Sequence, residues 1–403
     1  MYRFLLKIVL LTVTLAPLSA CGDDDPIGNI DDKPDKPGQE TPLAHRTVLV
    51  YMVADNTLGT SFGSDQDDLN EMINGAKEGS LNGGRLLVYH NRPKTASGNP
   101  PQMLEITKDG MKVLKTYPDD PSVYSVDPER IREVMADMKT LAPAEDYGLV
   151  LWSHANGWLG ATSDADDRYR AFGDDRGYHI TVQTLAKTLE DEHFSFVYFD
   201  CCLMGCVEAI YELRNLAPIM VASPTELSID GMPYDRNMPH MFTLDTDMEN
   251  AMISAAQNTY NYYKDKENGH DDKCQIAVYD TRHLDELADA SRDIYLTLSS
   301  IHPDAARVQC YNTPYSSRYI FDMENLMELY TTDRTDLRDA WTAAWRKTVV
   351  YGAATRTGIG NVYFDRYCGL GTFAIDQPQD ITWRGYNTLQ WWKDVVSYAP
   401  AYQ

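Results

Sequence analysis

Apolar and polar positions fall into short blocks along this chain, and the blocks change period in a regular order. Residues 46–54 (RTVLVYMVA) form an almost unbroken apolar run, as a strand buried on both faces requires. The run stops at Asp55-Asn56, and residues 66–77 then take a helical spacing. Residues 85–90 (RLLVYH) predict a second strand, followed by a strand near 111–116 and a helix near 128–140. Residues 147–153 (YGLVLWS) give another buried strand, which ends at His154. A loop rich in Asp, Gly and Arg covers 155–178, and a helix is expected over 181–191. Residues 195–199 (SFVYF) predict a strand that runs into Asp200-Cys201-Cys202. A helix over 204–216 and a strand over 218–223 complete this half. Beyond about residue 236 the pattern changes to long helices at 247–265, 282–300 and 333–349, with strands at 273–279 and 370–375. The aromatic last 20 residues read as a packed terminal helix and tail.

Strands alternating with helices imply an α/β fold with a mostly parallel sheet covered on both faces and right-handed crossovers. In such sheets functional residues sit past the carboxyl ends of strands. His154 and Cys202 both hold that position, on separate strands.

The first twenty residues stand outside this pattern. Arg3 and Lys7 precede an apolar run that ends in Leu18-Ser19-Ala20-Cys21, the build of a signal peptide. Leu-Ser-Ala-Cys resembles a bacterial lipobox, which implies cleavage before Cys21 and acylation of its sulfur. Gly22-Asp23-Asp24-Asp25 resembles the surface-export signal of some Gram-negative lipoproteins. The expected location is therefore the bacterial cell envelope, lipid-anchored at the outer membrane and facing outward. Residues 21–44, rich in Asp, Pro, Gly and Lys, read as a tether that cannot bury enough apolar surface to fold. The net charge of -24 argues against a nucleic-acid partner and weakly favours cationic ones. Seven cysteines are present, and the six beyond Cys21 first suggest disulfides in an exported protein. Three of them crowd into residues 201–206, an odd place for a staple. No Cys-x-x-Cys or His-x-x-x-His spacing suggests zinc, so no metal site is assigned.

A thiol attacks a carbonyl as its thiolate and needs a base, commonly an imidazole, and donors aimed at the developing oxyanion. LVLWSHANGW (149–158) offers the imidazole at a strand end, and FDCCLMG (199–205) offers a thiol at a strand-to-helix turn. Amides of a helix start would lower the pKa of a cysteine placed there. Alone, His154 could be structural and Cys202 a small buried hydrophobe; their joint placement favours chemistry.

These segments resemble the clostripain family of cysteine peptidases, relatives of caspases, gingipains and legumains. TVLVYMVADN (47–56), DLNEM (68–72), YGLVLWSHANGW (147–158), DCCLMG (200–205) with Val207-Glu208, and GMPY (231–234) carry the resemblance in matching order. Phe321-Asp322 and Cys368-Gly369-Leu370 extend it loosely into the C-terminal part. The resemblance implies a caspase-like three-layer α/β/α sandwich, with a catalytic core over 45–235 and a C-terminal part over 236–403 that completes the sheet and adds helices. It also implies an endopeptidase that cleaves polypeptides after Arg or Lys and needs no cofactor for its chemistry. By position, His154 is the general acid/base, Cys202 the nucleophile, and Asp200 the carboxylate at the floor of the first specificity pocket. The amides of Ala155 and Cys202 would form the oxyanion hole. Asp200 has a second reading, as a helix N-cap. Thr225, Glu226 and Asp230 are further pocket candidates. An inactive relative that binds polypeptides at a cell surface is the alternative function.

The chain departs from the family at two places. It has Ala155-Asn156 where the family has Gly-Gly, and Cys201 where the family usually has Ala. A left-handed backbone at 155 would be strained by Ala and would misdirect its amide. Asp164, Asp166, Asp167, Asp174 and Asp175 suit calcium, on which family members depend, although no EF-hand spacing is present. Self-cleavage at Arg168, Arg170 or Arg176 would parallel the activation of family members.

Overall fold

The computed structural model describes residues 43–94, 98–159, 171–245, 247–264, 272–312 and 317–403. The described residues group into a single compact unit. Its strands in chain order are β1 (Thr47–Val53), β2 (Arg85–Asn91), β3 (Gln102–Thr107), β4 (Gly110–Thr116), β5 (Tyr147–Trp152), β6 (Phe172–Asp175), β7 (Tyr178–Ile180), β8 (Phe196–Asp200), β9 (Ile219–Ala222), β10 (Gln275–Asp280), β11 (Phe321–Asp322), β12 (Val349–Ala354) and β13 (Gly371–Thr372). The main helices are α1 (Ser64–Lys77), α2 (Pro128–Leu141), α3 (Val182–Thr188), α4 (Val207–Leu213), α5 (Tyr234–Met241), α6 (Met248–Lys264), α7 (Leu284–Tyr295), α8 (Met323–Tyr330), α9 (Thr335–Thr348) and α10 (Gln390–Asp394).

Nine strands form one sheet in the order β12-β10-β9-β8-β5-β1-β2-β3-β4. The five in the middle, β9 through β2, run parallel. Antiparallel strands extend both ends. Along β1, Val48, Val50 and Met52 pack with α1, α5 and α6 on one face. Leu49, Tyr51 and Val53 pack with α2, α3, α4 and α7 on the other. Side chains alternate between faces along a strand, so a strand covered twice must be apolar at every position. That is the three-layer sandwich expected from the sequence, and the C-terminal part completes it with β10 and β12.

Several elements differ from the sequence expectation. Strands β3 and β12 were not anticipated, and β6 with β7 make a hairpin inside the supposed loop. The strand expected at 370–375 shrinks to two residues that pair with Phe321–Asp322, apart from the main sheet. The terminal region is a series of short turns around a five-residue helix, anchored by fully buried Tyr386 and Trp391. All six described cysteines are free thiols. A buried core this large holds the fold without staples. No described helix is long and apolar enough to cross a membrane.

Candidate active site

Strand register brings the two distant segments together. β5 and β8 are parallel neighbours, with Trp152 opposite Asp200. Two residues past each partner lie His154 and Cys202. Both side chains line one cavity of about 70 Å³, together with Asp200, Leu58, Leu227, Ser228, Ile229 and Gly231.

The turn after β8 is sharp. Leu203, buried and directly after the candidate nucleophile, has φ 67°. A left-handed conformation at a leucine costs on the order of 1–3 kcal/mol and persists only where surroundings enforce it. Here the Leu203 amide donates to the Thr225 carbonyl at 2.9 Å, and the Gly205 amide to that of Ser223 at 2.8 Å. Helix α4 begins only at Val207, with Cys206 at its N-cap. Cys202 therefore lies outside the helix field, which falls off within a turn. The expected acidification by a helix start is absent. Burial instead pushes the Cys202 thiol up to about 12, against the Leu227 amide, which donates to Sγ at 3.3 Å. His154 is half-buried, and burial lowers its pKa. Its Nε2 bonds the Thr57 hydroxyl at 2.8 Å. Among the described residues no hydrogen bond joins His154 to Cys202.

The loop after His154 resolves the first departure from the family. Gly157 is its left-handed residue, at φ 65°, whereas Ala155 and Asn156 are not left-handed. A Cβ on Gly157 would stand 2.8 Å from the Leu203 carbonyl oxygen. Ala155 faces Phe172 in an antiparallel bridge whose flanking bonds run from Asn156 to Ala171 and from Gly173 to His154. Neither bond uses the Ala155 amide.

Asp200 caps no helix, so that reading is corrected. Its Oδ1 accepts from the Met232 amide and its Oδ2 from the Tyr234 hydroxyl, both at 3.0 Å. Both donors belong to the GMPY segment. A Cβ on Gly231, itself at φ 59°, would stand 3.0 Å from the carboxylate, so this position needs glycine twice over. Burial raises Asp200 to about 7, with Tyr234 and Met232 pulling the other way. A second buried acid, Asp68 on α1, accepts from the Trp152 indole N–H at 2.6 Å. Burial first, and the Asp200 charge second, raise its pKa well above the ordinary carboxylate range. Asp68 also lines an adjoining cavity of about 350 Å³ with Asp67, Glu71 and Asp230, and Ile229 is shared with the smaller one.

Of the other candidates, Thr225 is a buried scaffold residue whose hydroxyl bonds Ser223 and Gln275. The charge of Glu226 raises the Cys202 pKa. Asp230 lines the acidic neighbour cavity rather than the one over Asp200. Arg176 turns the β6–β7 hairpin at φ 55°, bonds Asp175 and the carbonyls of Pro121 and Val123, and stacks on Tyr124. That engagement suits a structural arginine better than a cleavage site. Asp174 and Asp175 accept from the Gly177 and Ser125 amides. Among the described residues no group of three or more His, Cys, Asp or Glu is arranged to hold a metal. Cys21, Arg168, Arg170, Asp164, Asp166 and Asp167 lie outside the described residues. Sequence reasoning missed Thr57, Leu227 and Asp68. Asp68 had a signal, an acid one residue from Leu69 and four from Met72 on the buried face of α1.

The clostripain family model matches residues 50–374. Among solved structures the chain is similar to a secreted C11 cysteine protease from Bacteroides thetaiotaomicron in complex with an irreversible peptide inhibitor. That match has 28% identity and a TM-score of 0.73, covering 87% of this chain and 99% of that one. It is also similar to an inactive zymogen C11 protease from Parabacteroides distasonis, at 26% identity and a TM-score of 0.73, covering 88% and 99% respectively. No curated protein matches the chain.

Proposed function

The chain belongs to the clostripain family of cysteine peptidases, and from that premise we propose that it is an endopeptidase cutting polypeptides after Arg or Lys through a His154–Cys202 dyad. The observation that carries this reading is the single cavity lined by His154, Cys202 and Asp200 together. The Cys202 sulfur attacks the scissile carbonyl carbon while its proton passes to His154. The carbonyl oxygen becomes an oxyanion, and the amides of Ala155 and Cys202 are the donors assigned to it. Collapse breaks the C–N bond, His154 returns the proton to the leaving amine, and an acyl-thioester remains. Water activated by His154 then cleaves that thioester and restores the thiol.

The basic side chain would sit over Asp200, where a cation meets a desolvated carboxylate. As it stands, a cavity of about 70 Å³ is far below the ~300–1,000 Å³ of ligand pockets. The segment 227–231 therefore has to move for a side chain to enter. A shift of Ile229 would join this cavity to its larger acidic neighbour, adding Asp67, Asp68, Glu71 and Asp230 to the single carboxylate of Asp200. The same closure supports a second reading, a polypeptide-binding relative without activity, because thiol and imidazole are each bonded elsewhere. An Arg- or Lys-based acyloxymethyl ketone separates the two. Covalent labelling at Cys202 supports the peptidase, and an unlabelled protein leaves the binding role. We place the enzyme at the bacterial envelope, held by a lipid on Cys21; loss of membrane partitioning on Cys21→Ala tests that.

A further inference from the structure

We infer that Thr57 is the third member of the reacting group, a positioning residue that fixes the ring of His154 through its side-chain hydroxyl. The inference rests on the peptidase reading above. It starts from two bonds that run side by side between the tips of neighbouring parallel strands. Past β1, Asn56 Nδ2 bonds Ser153 Oγ at 3.3 Å, and Thr57 Oγ1 bonds His154 Nε2 at 2.8 Å. Asn56 is itself fixed. Its Nδ2 also donates to the Val53 and Asp174 carbonyls, and its Oδ1 accepts from the Leu58 amide. Thr57 is thus held between an anchored asparagine and the Leu58–Phe62 turn, and Leu58 forms a wall of the reacting cavity.

With Nε2 engaged by Thr57, Nδ1 is the ring nitrogen left to take the thiol proton. Once it does, the imidazolium carries N–H at both positions, and Nε2–H donates to the hydroxyl oxygen. The bond is then charge-assisted and stronger than with the neutral ring. A group that binds the protonated ring better than the neutral one favours proton transfer from Cys202. Thr57 is exposed, so its substitution is expected to leave the fold in place.

The test compares Thr57→Val, which keeps the shape without the hydroxyl, with Thr57→Ser, which keeps the hydroxyl. Thr57→Val is expected to lower kcat by about 10- to 100-fold with KM little changed. The acid limb of its pH profile should move to lower pH, because the imidazolium has lost an acceptor. Thr57→Ser should stay within about threefold of wild type with an unmoved limb. The pH dependence of Cys202 alkylation by iodoacetamide, followed by mass spectrometry, needs no substrate and should shift the same way. If wild type cleaves nothing, the peptidase reading falls while alkylation still reports on Thr57. A Thr57→Val enzyme as fast as wild type, or faster, overturns the inference. So does Thr57→Ser failing like Thr57→Val, which would mean the methyl group matters and not the bond.

Discussion

Asp200 and Glu208 lie eight residues apart, both buried, and burial pushes both to about 7. Their surroundings differ in kind. Asp200 opens on a cavity at the rim of the sheet, under a loop that gives it one amide and one hydroxyl donor. Glu208, on α4, is closed inside the fold. Its Oε1 accepts from the Thr372 hydroxyl and the Phe373 amide, and the buried Tyr386 hydroxyl interacts with the same carboxyl group. Around it Phe373 and Tyr386 pack on Trp158 at 5.1 Å between ring centroids. The same strained acid thus does two jobs. At the rim, in the function proposed above, it would meet a cation from outside; in the core it ties the C-terminal segment to the helix after Cys202. An unfavourable carboxylate indicates a ligand only where space opens beside it.

That comparison can be broken or sharpened by substitution. The largest effect should be Cys202→Ala, which is expected to remove cleavage by at least ~10⁴-fold while leaving both acids and the fold intact. Residual turnover near wild type, with matching melting curves, would assign the nucleophile elsewhere. Next is Asp200→Asn. We expect kcat/KM for Arg and Lys substrates to fall ~10²-fold or more, with little change for neutral residues at that position. The same change on Glu208→Gln should leave the basic preference untouched, and a substrate panel varying the first residue reads both. A shift in preference on Glu208→Gln would erase the distinction between rim and core.

Gly157→Ala should cost about 10- to 100-fold in kcat, because its left-handed backbone and its contact with the Leu203 carbonyl both exclude a Cβ. Steady-state rates at matched thermal stability check it. The smallest effect concerns stability. A carboxyl whose pKa is raised by folding favours the native state fully below its unfolded value near 4. That advantage is lost as pH rises through about 7. Above pH 7, Glu208→Gln and Asp200→Asn should therefore each stabilise the empty protein, on the order of 1–2 kcal/mol. At pH 4 the gain should vanish. Urea unfolding at the two pH values decides it, and equal shifts at both would mean that ionisation is not the cause.

Much of this was legible in the chain. The runs 46–54, 147–153 and 195–199 marked the central strands, because strands covered on both faces must be apolar throughout. Strand β3 hid because QMLEIT alternates, as befits a strand near the sheet edge, and follows two prolines. His154 and Cys202 were legible as strand-end residues, and Asp200 as their neighbour. Thr57 and Leu227 were not, since a threonine and a leucine carry no signal of their own; Asp68 left only the faint one of an acid beside Leu69 and Met72 on the buried face of α1.

The amino-acid sequence alone therefore determined the layered α/β architecture and the residue types of the site, because hydrophobic period and strand ends are local properties. Only the tertiary structure decided that Gly157 rather than Ala155 takes the left-handed turn. It alone put Asp200 beneath the GMPY loop rather than on a helix cap, and left Cys202 five residues short of α4. Those outcomes depend on strand register and on contacts between segments far apart in the chain, which no local pattern encodes.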